Sequence, residues 1–174
     1  MKRAKSYGVA VVALAIVVTG CGSTKTVTKT VTVTAAKSGV GPPGEIVQFG
    51  YVKSLKRKGT GYEMRFDPAW FLSGVTANTA AAEDGAVEPG EPVPNDHYVV
   101  DEGHRLLTYR VAANAHVTVL TKGVSGTPVT VPQLAQLVSG KNPFPRPLFE
   151  PLTTGFWILV NIDTVRSLDQ QYRP

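Results

Sequence analysis

The sequence predicts an α+β domain, built on a mainly antiparallel sheet of about seven strands with two short helices. Three observations carry this. From Glu45 onward, short runs rich in Val, Tyr, Phe and Thr alternate apolar with polar residues, and Gly- and Pro-bearing turns separate them. Two segments instead repeat apolar residues at helical spacing. The chain has 174 residues with 17 Gly and 13 Pro, enough for one core of usual size and many turns.

The elements follow in order. EIVQFGYVKSL reads as a strand, with Ile46, Gln48, Gly50 and Val52 on one face and Val47, Phe49 and Tyr51 on the other. KRKGTG turns it into YEMRF, which completes a hairpin. DPAWFLSGVTANTAAAEDG changes period. Asp67 suits an N-cap, Pro68 a first helical turn and Gly85 a stop, with Phe71, Leu72, Val75 and Thr79 on one stripe and a kink at Ser73-Gly74. AVEPGEPVPND is a loop. HYVVDEGHRLLTYRVA reads as a hairpin turning at Glu102-Gly103, and AHVTVL continues the meander after a turn at Ala113-Asn114.

TVPQLAQLVSG is a short helix with Val131, Leu134, Ala135 and Val138 on one side, Pro132 early and Gly140 closing it. KNPFPRPLFEPLTTG is irregular. FWILVNI, apolar on both faces, reads as a central strand, and TVRSLDQQY can pair with it. One arrangement that closes such a sheet is a small OB-like barrel.

The N-terminus carries a different signal. MKRAKSYG is basic and VAVVALAIVV is an apolar core of signal-peptide length. The uncharged run from Gly8 to Gly20 would span ~20 Å as a helix, short of the ~30 Å hydrocarbon core. It ends in Val18-Thr19-Gly20-Cys21, which resembles the lipobox of bacterial lipoprotein precursors. That resemblance implies diacylglyceryl modification of the Cys21 thiol, acylation of the palmitate kind, and cleavage before Cys21. Cys21 is the only cysteine, so it has no partner in the chain for a disulfide.

Residues 1–20 are then a lipoprotein signal peptide and residues 21–44 a lipidated cysteine followed by a Thr/Val/Lys-rich tether. Residues 45–174 form one globular domain. The expected location is the extracytoplasmic face of the cell membrane, lipid-anchored through diacylglyceryl-Cys21, with secretion as the alternative.

Charge mapping removes one function class. The formal net charge is +5, but six of the 18 basic residues (Lys2, Arg3, Lys5, Lys25, Lys29 and Lys37) precede Glu45. Twelve remain in the domain against all 13 acidic residues. A near-neutral domain lacks the electrostatic footprint of a nucleic-acid binder.

Candidate chemistry is sparse. His97, His104 and His116 do not stand at metal-ligand spacing, and no metal or cofactor set is implied. A turn at Glu102-Gly103 would put Asp101 opposite His104, either as a carboxylate-oriented histidine or as an exposed cross-strand pair. Ser125 in GVSGT lacks the nucleophile-elbow pattern. The acidic series from Glu83 to Glu102 lacks the order of a calcium loop. No catalytic residue is assigned.

Two features suit binding. Lys53, Lys56, Arg57 and Lys58 cluster at the tip of the first hairpin, where they could contact anionic lipid or wall polymer, or serve only to keep the turn soluble. PFPRPLFEP could display Phe144, Leu148 and Phe149 to a partner, or fold them onto its own core.

The segments FDPAWFL…ANTAAAEDG, VPNDHYVVDEG and GFWILV…QQYRP resemble secreted or lipid-anchored proteins of high-GC Gram-positive bacteria, a group without an assigned activity. The resemblance implies an envelope context and assigns no site residue. The expected function is a lipid-anchored extracytoplasmic module with a binding or envelope-structural role, taking an envelope polymer or protein as partner. A small secreted hydrolase or a carrier of a hydrophobic ligand is the alternative.

Overall fold

The computed structural model describes residues 44–173, so the segment expected to be a signal peptide, Cys21 and the expected tether up to Pro43 lie outside the described residues. Seven strands and two α-helices follow: β1 (Glu45–Lys58), β2 (Gly61–Ser73), α1 (Gly74–Glu83), β3 (His97–Val100), β4 (Leu107–Val119), β5 (Thr127–Pro128), α2 (Val131–Val138), β6 (Phe156–Asn161) and β7 (Thr164–Gln170). Among the described residues no helix is long and apolar enough to cross a membrane.

Five strands close into a barrel. β1 pairs with β2, β2 with β4, β4 with β7, β7 with β6, and β6 returns to β1. All these pairings are antiparallel except β4 with β7. Taken in chain order, the ring runs first, second, third, fifth, fourth and back to first, with α2 between the third and fourth members. This is the OB-like closure expected from the sequence.

Alternation along the strands fills the barrel. Phe156, Ile158 and Val160 of β6 are fully buried, and Met64, Phe66, Val111, Val117, Val119, Val165 and Leu168 meet them inside. β6 is flanked by β1 and β7, the central position that its apolar faces predict.

Local chemistry explains the joins. Thr130 and Gln133 form a reciprocal capping box at the start of α2, which drives Val131 and Leu134 into the core. β1 serves two neighbours by bulging at Lys53, where its register on β2 shifts between Val52 and Ser54. Gly50 is required at the β1–β2 crossing, because a Cβ there would stand 2.1 Å from the Asp67 carbonyl oxygen.

Three local expectations are corrected. No helix begins at Asp67: β2 continues to Ser73, and α1 begins at Gly74, whose φ of 58° makes the strand-to-helix corner. The backbone of Asp67, Pro68 and Ala69 pairs with β1, and Trp70 to Ser73 pair with β3, so ladder bonds outweigh the local capping pattern. β3 and β4 are not a hairpin turning at Glu102-Gly103, since both pair with β2. Finally, β4 runs through Ala113-Asn114 without a turn, and the irregularity appears instead as a register shift against β7 between Val111 and His116. The short β5 supplies the strand that this merger removes.

Candidate binding surface

The distinctive surface arises where β2 leaves β1. Their pairing ends at Phe49 opposite Ala69. Beyond that point β1 stays with β6, from Gly50 back to Glu45, while β2 joins β3 from Trp70 to Ser73. The two strands therefore fork, and a groove of about 320 Å³ opens between them. Val47 and Phe49 line one wall, Trp70 and Phe71 the other, with Trp157 of β6 and His104 of the β3–β4 loop completing it.

Register builds the aromatic floor. Phe49 lies opposite both Ala69 and Trp157, so its ring shares a face with theirs. It is 3% exposed, with ring centroids 5.0 Å from Phe71, 5.2 Å from Trp157 and 6.0 Å from Tyr51. Phe71 in turn lies 5.4 Å from Trp157 and stacks on His97 at 5.0 Å with nearly parallel planes. Trp157 is fixed by its indole N–H, which donates to Gln171 Oε1 at 2.8 Å. Pairs at these separations add stabilisation beyond simple burial.

The rim is different. Of the lining residues, Trp70 is 60% exposed and Val47 64%. Large apolar side chains held in solvent around a recess mark an interaction surface better than isolated exposed residues do.

Polar groups in the groove are few. Gln48 Oε1 accepts a 2.7 Å bond from the Tyr109 hydroxyl. His104 Nε2 stands 3.2 Å from Glu102 Oε2, and both residues are exposed. The partner of His104 is thus Glu102; Asp101 instead accepts a bond from the Gly103 N–H. The arrangement offers stacking and apolar contact, with little capacity for directed hydrogen bonding.

The basic residues divide. Lys53 is the extra residue of the β1 bulge, away from the hairpin tip, with Nζ 2.9 Å from Asp67 Oδ2 and 5.5 Å from the Tyr51 ring. Its hydrogen bond to the Asp67 carboxylate raises its pKa above the usual lysine value. Asp67 Oδ1 is buried with no partner among the described residues. At the tip, Lys58 pairs with Glu63, and Lys56 and Arg57 are exposed with no ion pair among the described residues.

The remaining candidates disperse. His97 stacks on Phe71, and His116 is exposed on β4. Ser125 is exposed in a bend. Phe144 and Leu148 pack against the barrel core, whereas Phe149 is half-exposed with its ring centroid 6.2 Å from that of Tyr172. Among the described residues no group of three or more His, Cys, Asp or Glu is placed to hold a metal.

Sequence reasoning missed the groove because it put Trp70 and Phe71 on a helix. The usable signal was the placement of Phe49, Phe71 and Trp157 in three aromatic-bearing segments, but uniting them required the strand register. No family model, no curated protein and no solved structure matches the chain.

Proposed function

We propose that the chain is a lipid-anchored extracytoplasmic module, held through a diacylglyceryl thioether at Cys21, whose domain acts by binding. The binding surface is the fork between β1 and β2. The observation that supports this most directly is that the exposed Trp70 and Val47 line a groove with a packed aromatic floor. The still-exposed part of each side chain forgoes roughly 1–2 kcal/mol of burial, which contact with a partner recovers. Lys56 and Arg57 at the distant hairpin tip supply a separate, weaker contact for anionic envelope polymer.

Two measurements test the proposal. Membrane fractionation should find the wild type in the membrane and the Cys21→Ala protein released from it; equal membrane retention would assign the anchor to the apolar run itself. A photo-crosslinking residue at position 70 should then give an adduct in intact envelopes, to a single partner molecule or to membrane lipid. The absence of any adduct would refute a binding role for the fork. A lipid-like molecule co-purifying with the protein would select the alternative of a carrier, which the same apolar lining favours.

A further inference from the structure

The exposed apolar residues are not scattered along the fork. They lead back to the point where the chain enters the domain. Ile46 and Val47 lie two and three residues after Gly44, past Glu45, and the Ile162 N–H donates to the Gly44 carbonyl at 3.1 Å. Ile162 forms the β6–β7 turn and is 83% exposed. Its φ of 58° is a left-handed conformation that a β-branched residue adopts only with strain. A turn of this kind ordinarily takes Asn or Gly. Here the fold instead holds an isoleucine outward beside the chain entry, and strain of this sort concentrates at working surfaces. Trp70, across the groove from Val47, extends the patch.

The sequence outside the described residues ends at this patch. Twenty-two residues, Gly22 to Pro43, separate Cys21 from Gly44. Whatever its conformation, a segment of that length reaches at most ~80 Å. The nearest apolar phase to the patch is therefore the bilayer that holds Cys21.

Accordingly, resting on the anchored reading of Cys21, we infer that the partner of this surface is the membrane itself: Ile46, Val47, Trp70 and Ile162 seat the tether end of the barrel in the interfacial layer of the bilayer. Tryptophan suits that layer, where its ring sits at headgroup level. The contact is apolar, since Glu45, Asp101, Glu102 and Asp163 near this end would be repelled by anionic headgroups. The basic tip takes no part in it. Val47 and Lys58 are eleven residues apart on one strand, about 35 Å at the usual rise.

The test uses the full lipidated chain in phosphatidylcholine/phosphatidylglycerol vesicles, with and without bromine on the acyl chains near the headgroup. Trp157→Phe leaves Trp70 as the only tryptophan of the two in the sequence. Flotation is measured first, and failure to float overturns the anchored reading together with this inference. In floating protein, Trp70 emission should shift to the blue and lose most of its intensity with brominated lipid, in low salt and in 1 M salt alike. Val47→Asp combined with Ile162→Asp, both at exposed positions, should abolish the quenching while flotation persists. Floating protein with unquenched, water-like Trp70 emission overturns the inference and leaves the anchor standing. Protection of Trp70 only after an envelope protein is added overturns it in favour of a protein partner.

Discussion

Gly155→Ala is the sharpest probe of how the aromatic floor is held. Gly155 joins the Pro-rich segment to β6 with φ 92° and ψ 174°, a region open almost only to glycine. An added Cβ would stand 2.5 Å from Phe49 Cζ, 2.9 Å from Phe49 Cε2 and 3.2 Å from the Gly50 carbonyl oxygen. The backbone conformation alone should cost about 1–3 kcal/mol. Displacing the Phe49 ring, packed between Phe71 and Trp157, should add about 1–3 kcal/mol. The expected loss is therefore about 2–6 kcal/mol, measured by urea unfolding followed through tryptophan fluorescence.

Phe49→Leu separates the two contributions, because leucine has no atoms at the Cζ and Cε2 positions. In that background the Gly155→Ala loss should fall to the backbone part, giving a coupling of about 1–3 kcal/mol between the sites. A single-mutant loss below 1 kcal/mol would refute the conformational argument. Full additivity would refute the collision with Phe49.

Other consequences concern buried polar groups and ionisation. Gln170, 7% exposed, accepts from the Leu120 N–H at 2.9 Å and donates to the Pro151 carbonyl at 2.9 Å and to Thr154 Oγ1 at 3.2 Å. Gln170→Ala should cost about 2–4 kcal/mol in urea unfolding by orphaning these partners, Leu120 N–H above all; a loss under 1 kcal/mol would contradict this. Burial raises the Tyr109 phenol above the usual 10.0, and the Asp84 carboxylate does the same for Tyr98 through a 3.0 Å hydrogen bond. Alkaline titration by absorbance should show late-ionising tyrosines, with one late step lost in Tyr109→Phe and another in Tyr98→Phe. The raised values of Tyr109 and Lys53 act on stability with one sign: their contributions are complete below about 10.0 and 10.5 and are lost as pH rises through the raised values. Lys53→Gln should therefore flatten the alkaline loss of stability, and an unchanged slope would deny the Lys53–Asp67 pair a role in it.

Legibility tracked the range of the interactions involved. α2 was readable because its apolar stripe, Pro132 and Gly140 are local signals, and the structure realises them; the Thr130–Gln133 capping box is an equally local signal that sequence reasoning missed. β6 was readable because its apolar run is continuous, with Phe156, Ile158 and Val160 buried and Trp157 and Leu159 half-buried between them. Asp67-Pro68 misled for the same reason: the local pattern is that of a helix start, but β1 and β3 supply ladder partners from distant sequence. Lys53 and Lys56–Lys58 look like one cluster in sequence, whereas the bulge and Asp67 withdraw Lys53 from it.

By itself, then, the sequence determined the class of the domain, its strand-rich composition, the second helix and its near-neutral charge after Glu45. These follow from periodicity, capping chemistry and counting, which need no knowledge of distant neighbours. Only the tertiary structure decided that β2 parts from β1 after Ala69, and so that Phe49, Phe71 and Trp157 form one floor in a groove that the exposed Trp70 also lines. Strand pairing is a choice among segments far apart in sequence. It is settled by which register buries the most apolar surface while satisfying the ladders, a comparison that no single segment contains.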